Sequence, residues 1–542
     1  MVRVLVIALL LLLPSAASPC TNFLVTRAAS ADGSTLITYA ADSHELYGEL
    51  YYTPPGLHQA GEMVDVIEWD TGRFIGRIPQ VPQTFSVVGN MNEHQVSIGE
   101  TTFTGREELI NPKGGIDYGS LMYLALQRAR TARDAILIMG ELVATHGYCS
   151  SGEAFSIADP TEVWFMVMIG KGPETQGAVW VALRVPDGYV SAHANYARIG
   201  RFPLDESKNC LYSPDVISFA REKGFFTGND EDFHFSDAYQ PLTFEDARVC
   251  EARVWSFFRR IAPSLELPAD FLSEERKDVQ LPLWIEPDRK LTPHDLFEAM
   301  RDHFEGTPYD LTLGVGAGPF HLPYRWRPLF WEVDGVKYLN ERSTATQQTG
   351  FSFIAQMRSA LPDPIGGVLW FGVDDAATSV YVPMYAGITE APYNFRKGTG
   401  TFRQFSWDSA FWVFNFVANW TYTRYMDIIQ DVKPVQWELE GSFLARQADI
   451  EKAATALYRQ SPELAREYLT RYSSDQAART VTRWRQLGMD LFVKYLDGNV
   501  RDSQGVVTHP PLPDDWYRRI IQDGGDRFRV RRFPGEPEPK KP

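Results

Sequence analysis

Cys20 constrains this chain more than any other residue does. It stands directly behind Arg3, an apolar run over residues 4–13 and the stretch Pro14-Ser15-Ala16-Ala17-Ser18-Pro19. The run is too short to span a bilayer, and small residues follow it, which is the pattern of a secretory leader. A cut just before Cys20 leaves a thiol and a free α-amine on one residue. A cut after Ala17 would leave Ser18 and Pro19 still to be trimmed. A lipid anchor is the rival use of a Cys at this place. That signal wants a large aliphatic residue three positions before the Cys and a small one just before it, where this chain has Ala17 and Pro19. The expected location is secreted or periplasmic.

Composition narrows the function classes. The chain has 542 residues, a formal charge of −16 and no dense Lys/Arg patch, so nucleic acid is not an expected partner. After the leader no uninterrupted apolar stretch is long enough to cross a membrane. The nearest, residues 411–425, is interrupted by Asn415, Asn419 and Arg424 and reads as a buried helix. The four cysteines, Cys20, Cys149, Cys210 and Cys250, have no zinc spacing and are too few for a disulfide scaffold. In an oxidising compartment Cys210 and Cys250 can pair, or they can be two small buried apolar residues.

Residues 20–200 read as strand-rich. Segments 21–26 and 34–39 flank the turn Ala31-Asp32-Gly33, which makes Cys20 the first residue of an edge-starting strand. Segments 85–90 and 96–102 form a second hairpin-like pair. Helices are expected over 117–130 and 132–146, the latter opened by Thr131 with Asp134 three residues on. Strands return at 163–169 and 178–185. Residues 205–310 read as a mostly helical insertion, followed by strands at 350–357, 367–372 and 378–383. Beyond residue 400 the pattern is helical to about 533, and the charged, Pro-rich tail 534–542 is expected to be disordered. No internal repeat is visible. Sheets layered with helices, an α+β fold, suit this order.

Other nucleophile systems are missing. There is no Gly-x-Ser-x-Gly elbow and no His-Glu-x-x-His helix. The glycine-rich Gly314-Val315-Gly316-Ala317-Gly318 runs into Pro319, so it reads as a tight loop and not a phosphate cradle. Cys20 needs no such partners. A thiol titrates near ~8.5 and an α-amine near ~7.7–8.0, so the proton can pass between them near neutral pH. No metal or cofactor is implied.

The residues behind Cys20 carry a resemblance. Cys20-Thr21-Asn22-Phe23, Ala41-Asp42-Ser43-His44, Glu68-Trp69-Asp70-Thr71-Gly72 and Gly89-Asn90-Met91-Asn92-Glu93 are its first blocks. His193-Ala194-Asn195, Tyr324-Arg325-Trp326-Arg327-Pro328, Thr344-Ala345-Thr346-Gln347-Gln348 and Trp370-Phe371-Gly372-Val373-Asp374-Asp375 continue it. In this order they resemble the secreted dipeptidases among the N-terminal-nucleophile (Ntn) cysteine hydrolases, which are related to choloylglycine hydrolases and penicillin V acylases. The resemblance covers residues 20–400 strongly and the helical region after them more loosely.

It implies a four-layer αββα Ntn sandwich, exposure of Cys20 by leader removal and hydrolysis of a dipeptide or small amide. Cys20 would be the nucleophile with its own amine as base. Asp42 would orient that amine, with a turn-capping role as its rival. Asn195 would donate to the oxyanion, a role worth ~2.7–4 kcal/mol per donor. A further donor would fall near residues 100–102, where an acid and two Thr make the transfer weak. The acylase relatives also carry an Arg a few residues before the aspartate. This chain has Thr38-Tyr39-Ala40-Ala41 there, leaving Tyr39 to fill the space or Arg198 to supply the charge. Two alternatives to a dipeptidase stay open: an Ntn acylamide hydrolase, and a lipid-anchored binding protein. The helical region after 400 is open to a lid or a homo-oligomer contact.

Overall fold

A computed structural model describes residues 20–272, 281–324, 326 and 328–531. The leader, the tail 534–542 and part of the 205–310 insertion lie outside the described residues. Two antiparallel sheets dominate. Their strands, in chain order, are β1 (Asn22–Val25), β2 (Thr35–Asp42), β3 (Tyr52–Thr53), β4 (Val87–Val88), β5 (Met91–Asn92), β6 (Ser97–Phe103), β7 (Gly152–Ala158) and β8 (Val163–Gly170). They continue with β9 (Ala178–Arg184), β10 (Val190–His193), β11 (Cys210–Tyr212), β12 (Trp284–Ile285), β13 (Thr349–Met357), β14 (Val368–Val373) and β15 (Val382–Tyr385). One sheet has the order β12-β10-β1-β2-β13-β14-β15, the other β11-β9-β8-β7-β6-β5-β4-β3.

The sheets pack face to face, β1 and β2 against β6 and β7. Helices α1 (Tyr118–Leu126) and α2 (Ala132–His146) cover the outside of the eight-stranded sheet. Thr131 accepts from Asp134 N, the cap expected from the sequence, and Asp117 caps α1 by accepting from Ser120 N. The other sheet is covered by α3 (Ala252–Ile261), α4 (Pro293–Met300), α5 (Ala410–Thr423), α6 (Tyr425–Tyr458) and α7 (Pro462–Lys494).

Coverage on both faces explains why β8 reads as a continuous apolar run. Along it, Trp164, Met166 and Met168 join the core under α1 and α2. Phe165, Val167 and Ile169 join the larger core between the sheets. That larger core runs without a break into α5, α6 and α7, through Phe414, Val432 and Trp484. The helical region after 400 therefore shares the core of the sheets.

The structure corrects three expectations. β1 is not an edge strand, because β10 pairs with its other side, Asn22 opposite His193. That partner comes from far along the chain, and a local hairpin reading cannot see it. The expected 85–90 strand shrinks to β4, because Gly89 turns the chain at φ +55°, and β5 falls within 91–95, which the sequence reads as the turn. Cys210 and Cys250 are not bonded to each other: Cys210 lies in β11, whereas Cys250 directly precedes α3 on the other sheet. They are two small buried residues.

Candidate active site

Cys20 is only 3 % exposed. Thr21 bridges Ala40, so the residue enters the sheet beside the end of β2. Its Sγ lies 3.6 Å from Glu100 Oε1 on β6. Burial pushes the thiol well above its ordinary range, and the Glu100 and Asp42 charges add to this. The Asp42 main chain and Arg342 act in the opposite direction.

Asp42 ends β2 and is fully enclosed. Its Oδ2 accepts from Arg342 Nη2 at 2.7 Å and its Oδ1 from Thr349 Oγ1 at 2.5 Å. The cation missing beside the aspartate is therefore Arg342, from the segment before β13. Arg198 does not reach it. Its guanidinium is spent on Glu251, 2.9 Å away, and on the carbonyls of Ala192 and Pro282. Tyr39 does not fill the gap either, because its hydroxyl donates to Glu100 Oε1.

Asn195 follows β10 in the left-handed region, at φ +65°, where Asn is one of the few tolerated residues. Its Nδ2 donates to Thr102 O at 2.6 Å and its Oδ1 accepts from Arg253 Nη2 at 2.9 Å. Arg253, on α3, is fully buried. Its Nη1 donates to Cys20 O at 2.6 Å and Thr21 Oγ1 at 2.9 Å, and Nη2 also reaches Ala194 O. One guanidinium thus ties the nucleophile candidate's main chain to the amide of Asn195. Burial and the nearby Arg342 charge pull Arg253 down to about 10.

A second acid lies behind Glu100. In the β6–β7 register Glu100 faces Phe155 and Thr102 faces Glu153, so the two glutamates share a sheet face. Glu153 Oε1 accepts from Thr102 Oγ1 at 2.8 Å. Neither Glu100 Oε2 nor Glu153 Oε2 has an N–H or O–H donor among the described residues. The two carboxyls nevertheless act on each other's ionisation. Burial pushes Glu100 up to about 7, and burial with the Glu100 charge pushes Glu153 well above its usual range. Asp70, bonded by Tyr118 Oη at 2.9 Å, adds negative charge to both.

The sheets approach closely here because of Gly99. A Cβ on it would meet Asn22 Nδ2 at 2.9 Å and Tyr39 Cβ at 3.0 Å. His193 is no base for the thiol. It bridges Thr101 Oγ1 at 2.7 Å and Ser156 Oγ at 2.8 Å, and burial holds it well below its ordinary value. On the Thr349 side of Asp42 a cavity of about 180 Å³ is lined by His44, Gln347, Gln348, Asp374 and Trp412 among others.

The structure therefore gathers Cys20, Asp42, Asn195 and Tyr39, and leaves Arg198 outside their contacts. Sequence reasoning missed Arg253, Arg342 and Glu153. Arg253 lies in an unremarkable helical insertion. Arg342 lies two residues before the Thr344-Ala345-Thr346 block, its only signal. Glu100 was in view, but as a poor oxyanion donor.

This constellation belongs to a chain that comparison places among the peptidases. The chain belongs to Peptidase family C69, whose model matches residues 62–438. Cys20 and Asp42 precede that span, so their place in the site rests on geometry. The chain is 25% identical over 394 residues to a probable dipeptidase of Salmonella dublin, covering 68% of this chain and 81% of that protein. It is 23% identical over 505 residues to a probable dipeptidase of Latilactobacillus sakei, covering 88% and 98%. It is 24% identical over 448 residues to dipeptidase A of Lactobacillus helveticus, covering 78% and 84%. No helix among the described residues is long and apolar enough to cross a membrane, and those residues include no metal-holding cluster of His, Cys, Asp and Glu.

Proposed function

We propose that this chain is a secreted or periplasmic cysteine dipeptidase whose nucleophile is Cys20, freed by removal of the leader. The two packed sheets and their covering helices are then the four-layer αββα arrangement of Ntn hydrolases. One observation carries the reading: Arg253 and Arg342 hold the Cys20 carbonyl, Asn195 and Asp42 around a single buried sulfur.

The raised thiol pKa means that little thiolate forms unaided, so attack needs a base. The Cys20 α-amine supplies it on the same residue. Sγ adds to the scissile carbonyl carbon as the amine takes the thiol proton. The resulting oxyanion is held by an Asn195 Nδ2 hydrogen and a main-chain N–H. Collapse breaks the C–N bond, and the Cys20 ammonium returns its proton to the leaving amine. Water, deprotonated by the same amine, then cleaves the thioester and restores the thiol. Until Pro19 is removed there is no amine to act, so secretion and activation are linked at one bond.

N-terminal sequencing and activity of wild type beside Cys20→Ala test this. The mature chain should begin at Cys20, and Cys20→Ala should lose dipeptide hydrolysis by at least about a thousandfold. An active Cys20→Ala, or an active chain beginning at Ser18, would refute the reading. An acylamide hydrolase would use the same residues, and preference for N-acyl amino acids or penicillin V over dipeptides would select it. The burial of Cys20 beside Glu100 weighs against a lipid-anchored binding protein. A diacylglycerol mass on Cys20 would reverse that.

A further inference from the structure

Two buried groups of opposite charge beside Cys20 have a polar atom that the protein does not satisfy with a partner of the right kind. Glu100 is 1 % exposed; its Oε1 takes the Cys20 thiol and the Tyr39 hydroxyl, while Oε2 is buried without a hydrogen-bond partner among the described residues. Arg342 is 6 % exposed; its Nη2 donates to Asp42, while Nη1 is buried without an acceptor. Leaving a charged group's hydrogen-bonding atom buried and unmade costs about 1–3 kcal/mol or more, and native proteins keep few such atoms. Here one belongs to the eight-stranded sheet and the other to the segment before β13. Both charges act on the same sulfur.

A free dipeptide carries matching charges. Its ammonium nitrogen is two bonds, about 2.5 Å, from the scissile carbonyl carbon, and its carboxylate follows one residue beyond. When that carbon is seated on Sγ, both termini lie within a few ångströms of the sulfur. Groups adjacent to the thiol are the ones that can reach them. Glu100, at 3.6 Å from Sγ, is in range for the ammonium. We propose that Glu100 Oε2 receives the substrate's α-ammonium and that Arg342 Nη1 receives its α-carboxylate. The site then selects zwitterionic dipeptides. N-acylated amides leave two acids facing one another, and longer peptides carry their carboxylate past Arg342. This rests on Cys20 as nucleophile and adds what sets the substrate's length and termini.

The test uses mature enzyme and three substrates of one skeleton: Ala-Ala, propionyl-alanine, which lacks the amine, and alanine N-ethylamide, which lacks the carboxylate. In wild type each analogue should lose at least about 100-fold in kcat/KM, because a built polar site rejects a ligand that leaves its groups unpaired. Glu100→Gln should shrink the preference for Ala-Ala over propionyl-alanine by at least about tenfold. Arg342→Lys should shrink the preference over the N-ethylamide in the same way. Equal cleavage of all three by wild type overturns the proposal and needs no variant to fold. So does an equal fall on every substrate in Glu100→Gln, which would make Glu100 a partner of the thiol alone. Cys20→Ala separates the two readings. If it is dead while wild type ignores the termini, the nucleophile stands and this inference falls; if it is active, both fall.

Discussion

Replacing Asp374 by Asn should stabilise this protein, increasingly so as pH rises. Asp374 follows β14 at φ +66°, a backbone region that Asn tolerates as well as Asp. Its Oδ1 accepts from Asn415 Nδ2 at 3.1 Å, but its Oδ2 is buried without a partner among the described residues. Burial, with the neighbouring Asp375 charge, raises its pKa from 3.8 to about 8. The folded value lies above the unfolded one. Its contribution to stability is therefore complete below pH 3.8 and is lost as pH rises toward 8. At 1.36 kcal/mol per unit the loss is about 1.6 kcal/mol by pH 5 and about 4 kcal/mol by pH 7. Asn keeps the Asn415 contact through its oxygen and does not titrate. The variant should therefore gain about 3 kcal/mol on wild type between about pH 5 and pH 7. The larger core joins both sheets to the helices after residue 400, so these are expected to unfold together. At about 2.1 cal/mol/K per residue, the gain is a Tm difference that widens by about 2–3 °C over that interval. Scanning calorimetry of both proteins across the range reads this directly. A Tm difference that stays constant with pH would refute the reasoning, because it would mean that Asp374 ionises in the fold as it does in water.

The remaining predictions concern the site and its supports. Arg253→Lys should lower kcat by about 10- to 100-fold, because a point charge cannot reach four acceptors in two directions; steady-state kinetics on a dipeptide checks it. Log kcat/KM for a dipeptide should rise with pH through about 7, as Glu100 ionises among Cys20, Tyr39, Glu153, Asp70 and Tyr118. It should then fall above about 8, where the substrate amine loses its proton; a profile flat across that range would contradict it. Glu440→Gln should cost about 1.5–3 kcal/mol, because Arg301, only 6% exposed on its side chain, loses the carboxylate that holds it at 2.5 and 3.0 Å between α6 and the sheet and keeps only Glu298, at 3.0 Å. A thermal melt and urea titration would show the loss, and no change would mean that α6 does not lean on this pair.

Local signals located most of the elements. Thr131 and Asp134 mark the start of α2, and the apolar-rich segments 163–169 and 178–185 became β8 and β9. They failed where a distant segment decides the outcome. β10 makes β1 a central strand, where the local pattern reads an edge. The same division runs through the site. The position of Cys20 behind an apolar leader, and the short Asp and Asn at 42 and 195, are visible in the chain. Each is a residue whose own chemistry points to a role.

What the sequence determined by itself was therefore the nucleophile candidate, the mixed α+β class and the exclusion of other catalytic systems, since these depend on residue type and local pattern. Only the tertiary structure decided what surrounds the sulfur. Arg342 in place of Arg198, Arg253 tying Cys20 to Asn195, and the Glu100–Glu153 pair come from segments 80 to 322 positions from Cys20. Charge pairing inside a protein is set by distance in space and by burial, and no local pattern carries either.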